Sequence, residues 1–403
     1  MTGDARTEAS QFHWYLRGLA SWSASYGMQM ILFPWLVAVI LREPAQRVGI
    51  AQMSLMGPAI LFMLLGGAVA DRADCRRLLI RYHLLGALPP LVLAAIIARG
   101  AVGYGALIAF GLVTGTLAAF MIPARDTLLT RVVSRGRERA IAVATAAQFL
   151  FQLIGIVIAG AAGVIGAPGL LAGQALLLAA GALTVARLAP APSRASHAAG
   201  ESRLAAMRDG LREVRASARI FPVIVAMFAV GVLYVGAFVV ILPLLVRDVY
   251  AGGSAELALV NTCFWGGTIA ATMLQIRLGS LRRPGRALLV ALTGGAGVLA
   301  AMSVPGPLWG LALLCLAWGG GGGVVITQGR TIVQLAAPES HRARVLAIFQ
   351  LGFTGGAPLG ALGIGYLAAV TGARAAAVYP AAAMLLALAF LLVRSELWRQ
   401  ELA

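Results

Sequence analysis

Lysine is missing altogether: all 32 basic residues among the 403 are arginine. A Walker-type phosphate loop needs a lysine, so the chain carries no P-loop ATPase of its own. No His-Glu-x-x-His zinc motif occurs, and Cys75, Cys263 and Cys315 show neither metal-ligand spacing nor a disulfide framework. No resident metal or other cofactor is expected. Charge is scarce, at 12% of residues, and acids are the rarer sign, with 15 against the 32 arginines. The net charge of +17 would suit nucleic acid, but the arginines sit between apolar segments instead of on one soluble face. No nucleic-acid partner is expected.

Apolar sequence is what the chain has in abundance. Hydrophobic residues make up 60%, in runs that recur from end to end, as in a polytopic membrane protein. Twelve spans are long enough to cross about 30 Å of hydrocarbon. They fall at 17–41, 49–70, 78–98, 102–122, 140–165, 169–188, 220–246, 256–278, 287–305, 308–328, 345–370 and 375–393. Residues 1–15 are polar without a cleavable signal pattern, so the first span is expected to act as its own insertion signal. Placing the N-terminus in the cytoplasm leaves only Arg42, Arg47, Arg99, Arg247 and Arg374 outside, and 27 of the 32 arginines inside. That bias follows the positive-inside rule and puts both termini in the cytoplasm.

The two halves repeat one another. Phe33-Pro34-Trp35-Leu36-Val37 returns as Leu242-Pro243-Leu244-Leu245-Val246, 209 residues on. Arg72 and Arg76 return as Arg282 and Arg286 at an offset of 210. Arg125, Arg137, Arg139, Gly155 and Gly160 return as Arg330, Arg342, Arg344, Gly360 and Gly365 at 205. The expected class is therefore an all-α membrane protein: twelve transmembrane helices in two six-helix halves, 1–188 and 220–403. A channel or a membrane-embedded enzyme does not predict such a repeat. Pro190 and Pro192 open a linker over 189–219, where Leu204, Met207, Leu211 and Val214 recur at helical spacing among Arg203, Arg208, Arg212, Arg215 and Arg219. This predicts an amphipathic helix held on the inner leaflet by anionic lipid, with a flexible linker as the alternative.

Polar residues that a bilayer rejects point to a cavity. Tyr26, Gln29, Gln148, Gln152, Tyr234, Asn261, Trp265, Trp318 and Gln350 fall inside spans, Gln148 and Gln152 on one helix face. Together they predict an amphipathic, aromatic-lined cavity for a small-molecule substrate between the halves; helix-to-helix hydrogen bonding is the alternative for each. Gly319 to Gly323 are five consecutive glycines, each weakening a helix by roughly 0.8–1.0 kcal/mol relative to alanine. They predict a bend in span ten, with close packing as the alternative. None of the 15 acids falls at the centre of a span. His83 in span three is the remaining titratable candidate, and a histidine snorkelling to the interface is the preferred reading of it.

The turn after the second span carries Gly67, Ala70, Asp71, Arg72 and Arg76. It resembles the Gly-x-Leu-Ala-Asp-Arg-x-Gly-Arg-Arg/Lys loop of the major facilitator superfamily of transporters, with Val69 for the leucine. Asp74 replaces the second glycine, and Cys75 stands where the family carries an arginine that bridges to an acid on helix four. The resemblance implies a cytoplasmic gate made of Asp71, Arg72, Arg76 and Arg77 with Arg125 and Asp126. In that gate Asp71 pairs with Arg76 or Arg77 and lies near Asp126. Ile122-Pro123-Ala124-Arg125-Asp126 and Pro338-Glu339-Ser340-His341-Arg342-Ala343-Arg344-Val345 resemble most the branch holding the enterobactin exporter and macrolide-efflux proteins.

That branch implies a monomeric exporter in the bacterial cytoplasmic (inner) membrane, moving a siderophore or similar natural product by alternating access. The family resemblance implies protons as coupling ion; with no acid at the centre of a span, any proton drive is expected to act through the rim acids Asp71 and Asp126 or through the substrate's own ionisation. Residue chemistry alone supports alternating access to an amphipathic solute. Multidrug or macrolide efflux, metabolite uptake or facilitated diffusion, and a non-transporting membrane scaffold or receptor are the other readings.

Overall fold

The computed structural model describes residues 2–133, 136–190, 203–279, 281–338, 341–395 and 397–398. The side chains of residues 2–7, Leu64, Asp71, Arg137, Glu138, residues 203–208 and Ala343 lie outside the described set. Among the described residues the chain is helical and has no strand. The helices of the first part are α1 (Thr2–Pro34), α2 (Ala45–Arg72), α3 (Cys75–Ala98), α4 (Tyr104–Val132), α5 (Arg137–Gly160), α6 (Ala162–Ile165) and α7 (Ala167–Ala186). Then follow α8 (Arg203–Ala216), α9 (Ile220–Ala229), α10 (Gly236–Asp248), α11 (Ser254–Leu278) and α12 (Pro284–Ala301). The last are α13 (Leu308–Ala336), α14 (Arg342–Thr371), α15 (Ala373–Ala376) and α16 (Val378–Arg394).

Among the described residues eleven stretches are long and apolar enough to cross a membrane. With α2, 28 residues long, they make the twelve spans the hydropathy pattern predicts. α1 runs on into a π-helical turn, Trp35–Ile40, directly after Pro34, whose ring nitrogen has no hydrogen to give the ladder. A second π segment, Val230–Val235, joins α9 to α10 into a single span. Leu61, Leu183 and Leu386 are among the large apolar side chains that point outward, the reverse of a soluble protein and the arrangement lipid requires.

The chain divides into two compact units. The first comprises Met1–Glu43, Ser54–His197 and Gly252–Ala258, the second Pro44–Met53, Ala198–Ala251 and Leu259–Ala403. In the first unit α1 packs on α5 and α7, around a core that includes Leu19, Trp22, Leu79, Met121, Leu128 and Val185. Glycine sets the closest approaches, as is usual where helices meet inside a membrane. A Cβ on Gly155 would overlap the carbonyl of Ala24, and one on Gly115 that of Leu55.

The second unit has the corresponding crossings. A Cβ on Gly360 would overlap the Val232 carbonyl, and one on Gly319 that of Phe264. Gly111 and Gly115 correspond to Gly319 and Gly323, both at an offset of 208, so the repeat extends to helix packing. The glycine run in span ten thus serves contact. α13 continues as one helix through it, and Gly319 and Gly323 seat the helix on Phe264 and Thr268 of α11, where Thr268 Oγ1 donates to the Gly319 carbonyl at 3.0 Å. Close packing accounts for Gly319 and Gly323.

The linker forms the helix α8, but protein covers part of its apolar stripe. Gly210 faces Arg344 and Ile348 of α14, and Val214 is 1% exposed. Leu204 and Met207, the other end of the predicted stripe, lie outside the described side chains.

Candidate functional site

The α2–α3 turn is held by its own hydrogen bonds and by an arginine from α4. Asp74 caps α3: its Oδ1 accepts from the backbone N–H of Arg76 at 2.9 Å and of Arg77 at 3.4 Å. Arg77 Nε lies 3.6 Å from the same carboxylate. The acid standing where the resembled loop has glycine is therefore a helix cap. Cys75, standing where that loop has arginine, is buried and donates its thiol to the Ala70 carbonyl at 3.2 Å. Arg76 Nη2 reaches the Ala186 carbonyl at the end of α7, 2.5 Å away.

Arg131, near the end of α4, supplies what the turn itself lacks. Its Nη1 donates to the Ala73 carbonyl and its Nη2 to the Ala70 carbonyl, each at 3.4 Å. These are carbonyls at the negative end of α2, which intrahelical bonding leaves open. Sequence reasoning sought an acid on helix four to meet an arginine of the loop; the structure has the arginine on helix four. The expected Asp71 pairing falls on a side chain outside the described set, and Arg72 is exposed.

Nearly two turns earlier on α4, the Arg125 side chain is almost fully enclosed. Its Nε and Nη2 donate to Asp126 Oδ1 at 3.1 and 3.0 Å, and its guanidinium lies 4.7 Å from the Trp22 ring centre on α1. The Arg125 side chain is 12% exposed and that of Asp126 64%. Tyr15 Oη donates to the Arg125 carbonyl at 3.5 Å. His83 and Arg125 both line a small cavity enclosed by α1, α3, α4 and α7, and His83 is 2% exposed. It does not snorkel to an interface. Gly181 of α7, having no side chain, leaves the space the imidazole fills.

Higher along α1, Tyr26 stacks on Trp22 with ring centres 5.3 Å apart. Gln29 and Gln152 are buried and Gln148 is half-buried; Gln152 Nε2 donates to Met30 Sδ at 3.3 Å. The backbone of Gln152 crosses α1 over Gly27, so α1 and α5 bring this polar set to one crossing. Gln174 of α7 joins it, donating to the Ser25 carbonyl at 3.2 Å.

In the second unit the candidates gather into an aromatic cluster. Trp318 of α13 meets Tyr234, Phe238 and Phe264 edge-on at 5.9, 5.9 and 5.6 Å. Phe264 also meets Phe238 at 4.4 Å and Trp265 at 5.6 Å. Tyr234 Oη donates to the Leu292 carbonyl at 2.5 Å, and with Trp318 it forms the buried floor. Phe238, Phe264 and Trp265 are half-buried and form the rim. Phe238 and Phe264 carry no polar atom that would have singled them out in a membrane sequence. Asn261 is buried one turn from Trp265, Gln350 is exposed on α14, and Cys263 is half-buried next to Phe264.

This geometry suits recognition of a flat apolar or weakly polar group. No curated protein sequence matches the chain. Among solved structures it is similar to the nucleoside transporter NupG (TM-score 0.72, 13% identity, 96% of this chain and 98% of that one). It is similar to a bacterial homolog of the human lysosomal transporter Spinster, in an inward-facing, unoccupied conformation (0.68, 13%, 98% and 96%). An auto-inhibited peptide transporter of the POT family gives a TM-score of 0.70 at 17% identity, covering 95% of this chain and 96% of that one. At these identities the likeness is one of fold. The family model for transmembrane secretion effectors matches residues 11–402. The chain belongs to the transmembrane secretion effector family, within the major facilitator superfamily of transporters.

Proposed function

We propose that the protein exports a small amphipathic organic molecule, a siderophore or macrolide-like natural product, by alternating access across the bacterial cytoplasmic membrane. The observation that carries export over uptake is the match to secretion effectors over residues 11–402. The substrate's chemistry is read from each unit by itself: the first has a polar set at Gln29, Gln148 and Gln152, and the second an aromatic rim at Phe238, Phe264 and Trp265. A solute with a flat ring system and several hydrogen-bonding groups suits both. The protein works as a monomer of two six-helix halves, 1–188 and 220–403, with both termini in the cytoplasm, in keeping with the arginine distribution.

In the gate, Arg131 and Asp74 fasten the α2–α3 turn, while Arg125 and Asp126 form an ion pair at the end of α4. The test is efflux from cells stripped of their own exporters, preloaded with a catecholate siderophore or with a macrolide. Expression should speed loss of one of them from the cells under a proton gradient. Faster accumulation inside would reverse the assigned direction.

A further inference from the structure

At one end of the first unit α1, α3 and α7 are fastened together. Gln11 of α1 accepts through Oε1 from the Ala189 backbone N–H, just past α7, at 2.7 Å, and Arg76 at the start of α3 donates to the Ala186 carbonyl. Trp14 of α1 is half-buried there and carries two guanidiniums. That of Arg17, also on α1, lies 4.4 Å from the ring centre, and that of Arg187, at the end of α7, lies 5.5 Å from it. Measured through the ring centre, the two charges are at most about 10 Å apart, within one Debye length at 0.1 M salt, so they repel.

The protein answers neither cation with an acid. Among the described residues no carboxylate lies within 4.0 Å of Arg17 or Arg187, and neither side chain donates a hydrogen bond. The negative end of α7 is served by Arg76, whose Nη2 takes the Ala186 carbonyl. Arg17 and Arg187 are exposed and keep their forked N–H donors for something outside the chain.

The surroundings indicate what that is. Leu176, Leu183 and Arg187 follow one another along one face of α7, and both leucines are largely exposed. Such a stripe on a membrane-spanning helix is turned to acyl chains, so Arg187, at its end, stands where chains give way to headgroups. A tryptophan belongs at the same level. An anion that reaches Arg187 with an apolar body along Leu183 and Leu176 has the build of a phospholipid.

We propose that an anionic phospholipid binds here, its phosphate held by Arg17 and Arg187 beside the Trp14 ring and one acyl chain lying along Leu183 and Leu176. A phosphate accepts from both forks at once and removes the repulsion between them. Phosphatidylglycerol has this chemistry. Phosphatidylethanolamine carries an ammonium next to the same phosphate, which two guanidiniums repel. The bound lipid ties α1 to α7 at their ends. The site belongs to the first unit alone and is independent of which solute the protein moves.

The test uses the full chain purified in an uncharged detergent and native mass spectrometry, with phosphatidylglycerol and phosphatidylethanolamine of identical acyl chains as probes. We expect the wild type to hold one phosphatidylglycerol at least about tenfold more tightly than phosphatidylethanolamine, the scale set by two arginines near an anionic headgroup. Arg17→Gln/Arg187→Gln should lose that preference. Arg282→Gln/Arg394→Gln, which removes the same charge from two exposed arginines of the second unit, should keep it. Equal affinity of the wild type for both lipids overturns the proposal, and that arm needs no variant to fold. A preference retained without Arg17 and Arg187 overturns it too, as does a preference lost equally in both double variants, which would mean attraction to net charge alone. Displacement of the lipid by inorganic phosphate but not by chloride at equal ionic strength would mark a free-phosphate site and overturn the lipid occupant. Added phosphatidylglycerol should raise the unfolding midpoint of the wild type and leave that of Arg17→Gln/Arg187→Gln unmoved; equal shifts in the two count against the site.

Discussion

Arg76 at the start of α3 donates through Nη2 to the carbonyl of Ala186 at the end of α7, 2.5 Å away. The second unit repeats the contact: Arg286 at the start of α12 donates through Nε to the Trp398 carbonyl at 3.0 Å, with its guanidinium 5.0 Å from the Trp398 ring centre. Each half thus ties its third span to the end of its sixth. Arg76→Ala should lower the stability of the first unit by about 1.5–3 kcal/mol, the range for a charge-assisted hydrogen bond. Thermal unfolding in detergent would show it, and Arg76→Lys should recover only part.

The glycines of α13 should not be equivalent. A Cβ on Gly319 would overlap the Phe264 carbonyl, whereas Gly320 has nothing closer than the Gly267 carbonyl, 3.9 Å from such a Cβ. Gly319→Ala should cost about 1–3 kcal/mol through forced separation of the helices. Gly320→Ala should be neutral or gain up to about 1 kcal/mol from helix propensity. Unfolding midpoints that fall equally would mean the run is a flexible bend after all.

Removing the arginine that closes α2 should affect transport more than abundance. Arg131→Ala leaves the Ala70 and Ala73 carbonyls without that donor and should lower efflux several-fold at near-normal protein level. Asp71→Asn should do the same if the turn gates transport. Efflux per unit of protein, measured for both, decides between a gate and a mere topology signal.

Reporter fusions at Ala189 and after Arg374 should report opposite sides of the membrane. The proposal of cytoplasmic termini depends on it, because 27 of 32 arginines lie on one side only if the span count is even between the ends. Reports from one side would require a different count.

The spans were legible because crossing hydrocarbon requires only a length of apolar sequence, which one dimension can display. The repeat was legible for the same reason, as offsets between Arg76 and Arg286 or Gly155 and Gly360 are visible in a string. Partners were not. Arg131 lay outside the resembled motif, and nothing local marks it as the donor to carbonyls some 60 residues earlier. Asp74 stands immediately before α3, the place of a helix cap, and its departure from the motif follows from that role. His83 stands near the start of an apolar run, which suggests an interface. Its burial depends on Gly181, about 100 residues further on, leaving it space.

The thiols have a practical use. Cys75 and Cys315 are buried, and Cys263 is half-buried at the edge of the aromatic rim. A maleimide dye offered to the native fold should therefore attach to Cys263 alone, with no cysteine replaced beforehand. Flanked by Phe264 and Trp265, such a dye would be quenched or released as the rim rearranges around a solute. The wild-type chain thus comes with a single-site optical reporter next to the proposed binding surface.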